Sequence, residues 1–387
     1  IQGERVNFYF LITALLLSYR KNIELKNIIN YSSFIIFLSL PFLLTCIYLT
    51  LLEDYDGNLK HHFEVKLPLL LLPIGLSIQK RKHEFIKLIS FSLLISLGIY
   101  GIWFLYNSYQ RLLVTGFDLI YIFSWGNTYV NFTMGIHPSY ISLAIFFLII
   151  SLFFTDIFSK INPFLKTLIL LFFCIILLLS LSRVFIILMI PILLIIIIKL
   201  KNKIFAFFLA ALLISIVIFI GNQNYVKDRL NNIIDKEILI KERDLENAGR
   251  FERWICAFEI IDNNLFGVGF NKSQDYLNDC YKDKGMLVAY HKNYNTHSEF
   301  LNFSIIAGIP GLLIILVFFL YFFIQFVLQR NIGGLIFILV VFSFCVVENV
   351  FSINLGVMII SIAISTYWFT EQGSKIHAND QKRSLKL

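Results

Sequence analysis

Long apolar runs separated by short polar connections dominate the pattern of this chain. A helix needs about 20 apolar residues to cross the hydrocarbon core of a bilayer, and many of the runs approach that length. The pattern predicts crossings near residues 6–19, 31–52, 65–78, 84–106, 138–155, 164–182, 184–198, 204–221, 299–328, 332–347 and 350–369. We therefore predict an all-α polytopic membrane protein with about eleven transmembrane helices.

The composition supports this prediction over a large soluble helical protein. Soluble chains carry roughly 25% charged residues, whereas this chain of 387 residues carries 15% and is 58% hydrophobic. The charges also lie between the apolar runs rather than along one face of them. A net charge of +8 then indicates contact with an anionic membrane surface, and nothing indicates a nucleic-acid partner.

Lysine and arginine in the short connections predict the orientation, because cytoplasmic connections are enriched in both. One alternate set of connections, together with the tail, holds 17 of them and the opposite set holds 4. The tail, residues 371–387, is therefore predicted to be cytoplasmic, and the polar loop 222–297 to be external. Helices at 1–221 and 298–370 flank that loop. The chain starts at Ile1, and the count becomes twelve if an N-terminal helix is missing before it.

The external loop contains one clear helical pattern, from 250 to 264. Four apolar residues recur at helical spacing and form a stripe: Phe251, Trp254, Ile255 and Phe258. Arg250 and Arg253 lie off this stripe, which predicts a polar side for them. We expect the helix to lie on the membrane surface or over the mouth of the bundle, with its apolar stripe facing down.

Two further features bear on the fold. The run 299–328 contains Gly308-Ile309-Pro310-Gly311, and a proline inside a helix removes a backbone donor, so a break or kink is expected there. Cys256 and Cys280 share the external loop, where the compartment permits a disulfide. The spacing of the two cysteines leaves their pairing open.

Three segments resemble the O-antigen ligase and polymerase superfamily. Ala248 to Trp254, continued by Asp262 to Gly269, is similar to the family's "GR…W…NPLFGVG" signature. Thr296-His297-Ser298-Glu299-Phe300-Leu301 with the following Ala307-Gly308-Ile309-Pro310-Gly311-Leu312 resembles its "HN-x-x-L…GxxG" element, and Leu181-Ser182-Arg183 resembles its "SR". The three segments follow the family order over about residues 165–320. Asn264 and Ser298 depart from the family's proline and asparagine.

The resemblance implies a GT-C-like membrane glycosyltransferase of the bacterial inner membrane. Such enzymes move a glycan from an undecaprenyl-diphosphate carrier to an acceptor hydroxyl at the periplasmic face. A single large external loop favours a ligase that transfers O-antigen to lipid A–core in lipopolysaccharide biosynthesis. A polymerase that extends the carrier-linked glycan is the next alternative, followed by a protein O-oligosaccharyltransferase and by a transporter of lipid-linked glycans.

This reaction would need a base for the acceptor proton and cations for the diphosphate. His297 is the candidate base, because histidine titrates near neutral pH; the alternative is an ordinary histidine at the membrane boundary. Arg183 and Arg250 are the candidate diphosphate clamp, since a guanidinium binds phosphate oxygens bidentately; the alternatives are a hairpin arginine and a solvated helix face. Arg253 and His137 are further substrate-binding candidates. No residue spacing suggests a metal site or a cofactor.

Overall fold

The computed structural model of the protein describes residues 26–51, 57–79, 81–115, 138–179, 183–199, a few positions between 206 and 214, and 249–384. Within these ranges the regular structure is helical. The first half contains α1 (Lys26–Asn30), α2 (Ser32–Leu51), α3 (Gly57–Lys66), α4 (Pro68–Ile78), α5 (Lys82–Thr115), α6 (Pro138–Phe154), α7 (Pro163–Leu179) and α8 (Arg183–Lys199). The second half contains α9 (Arg250–Asn263), α10 (Ser273–Asp283), α11 (Leu287–His291), α12 (Glu299–Gln329), α13 (Ile332–Val347) and α14 (Asn354–Ser384).

Two of the described helices are long and apolar enough to cross a membrane by length and composition. They are the part of α5 from Lys82 to Gln110, and α12. Shorter apolar stretches lie in α2, α6, α7, α8, α13 and α14. The predicted crossing 6–19 and most of 204–221 lie outside the described residues. The all-helical prediction holds for the described part of the chain, and the number of eleven crossings stays a prediction.

The core of the bundle is built on α12 and the helices next to it. α12 packs against α13 and α2, while α14 packs against α4 and α6. Aromatic rings fill the space between them: the ring of Phe34 stacks on Trp368 at 4.7 Å between centroids and meets Phe322 edge-on at 6.0 Å. Such contacts hold α2, α12 and α14 at fixed spacing. The C-terminal half of α12, which carries Phe322, is thereby held against α2 and α14.

The predicted break in α12 is confirmed and falls at Gly308. This residue has φ 62° and ψ −147°, outside the helical region, two residues before Pro310. A break in an apolar helix frees backbone groups that need partners. The segment 265–269, which follows α9, supplies them: the amides of Val268 and Gly269 donate to the carbonyls of Ile305 and Ile306, and the amide of Ile309 donates to the carbonyl of Leu265. The loop after α9 is thus bonded to the break.

Helices α9, α10 and α11 form a small unit with its own core. A disulfide between Cys256 and Cys280 joins α9 to α10, with their Cα atoms 5.8 Å apart. Around it lie buried residues from all three helices and from α12: Ala257, Ile260, Leu277, Tyr281, Met286, Ala289 and Ile305. The pairing of the two cysteines, which the sequence leaves open, is therefore present in the structure.

The buried face of α9 differs from the apolar stripe that the sequence predicts to be the packed face. Its buried residues are Arg253, Cys256, Ala257 and Ile260, a set that is offset from the predicted apolar stripe. Phe251 and Phe258, at the centre of that stripe, are exposed. The prediction of a polar side for Arg253 was wrong, because small residues on the same face let α9 pack closely while an arginine finds internal partners.

We expect Gly308→Ala to destabilise the protein. Gly308 has a positive φ, and a residue with a side chain pays about 1–3 kcal/mol to adopt such a conformation. The new Cβ would also collide with the backbone of Leu265. The measurement is thermal unfolding of the protein purified in detergent. Gly98→Ala in α5 is the control, because a Cβ there meets nothing within 4 Å. Equal melting temperatures for the two variants would contradict the role given to the break.

Candidate functional site

His297 lies in a tight turn just before α12. Its backbone has φ 48°, which is uncommon for a residue other than glycine. The turn is held by side chains of the two preceding residues: the amide of His297 donates to Oδ1 of Asn295 at 3.0 Å, and the amide of Ser298 donates to Oγ1 of Thr296 at 3.3 Å. The sequence Asn-Thr before the histidine therefore builds the turn that fixes the direction of the imidazole.

A glutamate that the sequence analysis missed lies beside this histidine. Glu348 directly follows α13, and its Oε2 lies 3.0 Å from Nδ1 of His297. Its other oxygen, Oε1, accepts a hydrogen bond from Nη2 of Arg250 at 2.9 Å. The side chain of Glu348 is 8% exposed. A single buried carboxylate thus bridges the candidate base and one arginine of the predicted clamp.

The sequence does carry a signal for Glu348. It is the one acidic residue between positions 300 and 370, a stretch made of predicted crossings. Ionisable residues in such segments are costly and commonly functional. The predicted orientation depends on lysine and arginine alone, so Glu348 did not enter that prediction.

Arg253 stabilises the turn from the other side. It is 7% exposed; its Nε donates to the carbonyl of Gly249 and its Nη1 to the carbonyl of Asn295, both at 3.2 Å. Its guanidinium also lies 4.9 Å from the ring centroid of Tyr294. Burial lowers the pKa of the Arg253 guanidinium, while the nearby Tyr281 acts in the opposite direction. Two of the donors of this guanidinium are therefore used by the protein backbone.

Two further contacts join α9 and α6 to the same place. The indole Nε1 of Trp254 donates to the carbonyl of Thr296 at 2.8 Å. The hydroxyl of Tyr140, on α6, donates to the carbonyl of Asn349 at 3.2 Å. The turn that carries His297 and the connection that carries Glu348 are therefore each tied to a helix that does not carry them.

Five site residues were predicted from the sequence. The structure places two of them, His297 and Arg250, in contact with the same carboxylate, that of Glu348. Arg253 lies one turn further along α9, and its role in substrate binding stays a prediction. Arg183 is the first residue of α8, and its side chain lies outside the described part. His137 lies outside the described residues as well.

The geometry gives the imidazole a defined orientation. Nδ1 faces the Glu348 carboxylate, and such a contact fixes which ring nitrogen carries the proton. Nε2 is then the nitrogen opposite that contact, and the side chain is 27% exposed. Arg250 is 43% exposed, so part of its fork reaches solvent next to the same carboxylate. A partly exposed histidine and a partly exposed arginine therefore contact the same buried carboxylate.

Among the described residues, no group of three or more histidine, cysteine, aspartate or glutamate side chains is arranged to hold a metal ion.

Comparison with known proteins assigns a family to the middle of the chain. Residues 168–316 match the family model described as O-antigen ligase. No curated protein matches the chain. The matched part contains Arg250 and His297, whereas Glu348 lies beyond it. The resemblance to the O-antigen ligase and polymerase superfamily is confirmed, and the protein carries an O-antigen ligase family domain at residues 168–316.

Proposed function

We propose that the protein is a metal-independent glycosyltransferase without a cofactor, which moves a glycan from an undecaprenyl-diphosphate carrier to an acceptor hydroxyl. The proposed place of reaction is the periplasmic face of the bacterial inner membrane. The family domain supports a ligase-type enzyme. The observation that carries the proposal is the contact of Glu348 with both His297 and Arg250, since it joins a base to a cation.

In the proposed reaction His297 acts as the general base. Its Nε2 takes the proton of the acceptor hydroxyl while the hydroxyl oxygen bonds to the anomeric carbon of the glycan. The bond from that carbon to the diphosphate oxygen breaks, and the lipid diphosphate leaves with the electron pair. Glu348 acts as a positioning residue, because its carboxylate holds the ring and favours the positively charged imidazolium that forms.

Arg250 is suited to hold the leaving diphosphate. A guanidinium has five N–H donors. The hydrogen bond from Arg250 to Glu348 uses a donor on Nη2. The remaining donors can bind phosphate oxygens as negative charge develops there. Arg183, at the beginning of α8, is the proposed second cation, and its helix belongs to the same matched domain.

Ligation of O-antigen to lipid A–core remains the favoured form of this reaction. The support is the sequence pattern of one large polar loop, 222–297, between the predicted crossings. Polymerisation of the carrier-linked glycan would use the same groups, and transfer to a protein hydroxyl would differ only in the acceptor. A transporter would need no base, so the paired His297 and Glu348 favour bond formation over transport.

An exposed apolar surface supports a reaction at the level of the bilayer surface. Phe251 and Phe258 share one face of α9 and are exposed, and Leu265, just beyond the end of the helix, is exposed as well. Phe266, 81% exposed, lies beside it, and Leu265 is bonded to Ile309 at the break in α12. Exposed apolar residues continue along α12 from Ile309. Exposed apolar residues on α9, on the segment after it and on α12 fit contact with the acyl chains of the outer leaflet.

We expect His297→Ala to reduce glycan transfer by about 10²–10⁴-fold, the range that general acid–base catalysis contributes. Glu348→Gln should also reduce it, because a neutral amide supports the imidazolium less well. The assay is transfer by the purified protein, reconstituted with a carrier-linked glycan and a lipid A–core acceptor. His291→Ala, an exposed histidine at the end of α11, is the control. Near-normal transfer by His297→Ala would refute its role as base.

We expect Arg183→Ala and Arg250→Ala to raise the KM for the carrier-linked donor and to lower kcat. Lysine at either position should restore little, because it carries one ammonium in place of the bidentate fork. Initial rates at several donor concentrations provide the measurement. Arg81→Lys, an exposed arginine paired with Glu84, is the matched control and should leave the rates unchanged. Full activity in both lysine variants would argue against a diphosphate clamp.

We expect a nitroxide label at Phe266→Cys to lie in lipid. The label should collide more with oxygen, which concentrates in the bilayer, than with a water-soluble nickel chelate. The protein would be studied in phosphatidylethanolamine and phosphatidylglycerol vesicles, with Cys46, Cys174 and Cys345 replaced. A label at Asp279→Cys, an exposed position on α10, should show the reverse. Ready collisions with the chelate, or protection from both probes, at position 266 would contradict membrane contact.

A further inference from the structure

Two buried residues of opposite charge lie close behind the contact between His297 and Glu348. Glu299 is the first residue of α12, two positions after His297, and it is fully buried. Lys66 is the last residue of α3, and it is buried as well. Removing two charges from water is costly, and an apolar pair of similar volume commonly stabilises a fold as well or better. The stability of the fold therefore does not by itself explain why these two buried residues are charged.

The carboxylate of Glu299 connects the two segments that carry the site. Its Oε2 accepts a hydrogen bond from the amide of Phe351 at 2.8 Å, and its Oε1 accepts one from Nδ2 of Asn302 at 3.4 Å. Phe351 belongs to the 3-10 turn Val350–Ser352, which begins two residues after Glu348. Glu299 thus bonds the beginning of α12, and with it the turn of His297, to the connection that carries Glu348.

Lys66 supplies the counter-charge from a different part of the chain. Its Nζ lies 5.9 Å from the ring centroid of Phe303, one turn after Glu299 on α12, and 4.8 Å from that of Phe270. Glu299 and Phe303 lie one turn apart on the same face of α12, so the ammonium acts on the Glu299 carboxylate at longer range than a direct ion pair. It also lies 3.4 Å from Nδ1 of His62, a partly buried histidine for which the sequence analysis gives no role. Helix α3 itself packs against the 3-10 turn.

We propose that Glu299 and Lys66 form a positioning pair that holds His297 and Glu348 in contact. Glu299 binds the backbone of the connection after α13, and the positive charge of Lys66 offsets part of the cost of burying that carboxylate. The proposal rests on the proposed function, because it assigns the pair to the geometry of the base. Neither residue touches the substrate. Lys66 lies outside residues 168–316, so the N-terminal helices complete the site.

The test compares Glu299→Gln, Lys66→Met and the double variant. Each single change leaves one buried charge without its partner, and misplacement of the base should lower kcat for glycan transfer by about 10²-fold, with little change in the KM for the donor. In the double variant no buried charge remains, and the glutamine oxygen can still accept from the amide of Phe351. Most of the lost kcat should therefore return in the double variant.

A spectroscopic signal separates positioning from plain stability. A ring N–H hydrogen-bonded to a carboxylate gives a proton resonance far downfield, which ¹⁵N-histidine labelling would detect. His297→Ala assigns that resonance. It should be present in the wild type and in the double variant, and weakened or lost in both single variants. The measurement needs no glycan, so it remains decisive if the wild-type protein proves inactive as a glycosyltransferase.

Three outcomes would overturn the proposal. One is a double variant no more active than the single variants. Another is a downfield resonance that persists unchanged in Glu299→Gln and Lys66→Met. The third is a lower melting temperature in the single variants while kcat per folded molecule stays at the wild-type value, which would make the pair a stabilising contact alone.

Discussion

The bridge formed by Glu348 is the interaction on which the arrangement of the site depends. One buried carboxylate binds Arg250 from α9 and His297 from the turn before α12, residues that are far apart along the chain. A buried carboxylate without such partners would be strongly unfavourable. The helices that carry the two partners must therefore stay at their observed distance, and the disulfide, the turn and the break in α12 all serve to keep them there.

The break in α12 explains why two separate sequence signatures occur together. Gly308 interrupts the helix, and the segment 265–269 satisfies the backbone groups that the interruption frees. The glycine-rich end of the first signature and the glycine-containing part of the second are therefore two sides of one contact. This contact also sets the position of α9 relative to α12. A change on either side would move Arg250 with respect to His297 without altering either residue.

Local pattern predicts α9 and the break in α12, because each depends on residues close together in sequence. It does not predict partners: Glu348 meets Arg250 and His297 across 98 and 51 positions of the chain. The buried face of α9 was also predicted wrongly. Hydrophobicity alone cannot distinguish a helix face that packs on protein from one that faces lipid. Small residues, Cys256 and Ala257, line the packed face instead. The burial of Lys66 and Glu299 was not predicted either, because it depends on contacts between segments that are distant in sequence.

The extent of the site along the chain follows from these contacts. The matched domain supplies His297 and Arg250, but Glu348 lies after it and Lys66 lies well before it. An isolated segment 168–316 would hold the candidate base without the carboxylate that orients it, and would hold Glu299 without its counter-charge. The second loss leaves the buried carboxylate of Glu299 without a compensating charge, which is costly in a protein interior. The first loss leaves the imidazole of His297 without the contact that orients it. The contacts of the candidate site therefore extend beyond the matched domain, on both sides of it along the chain.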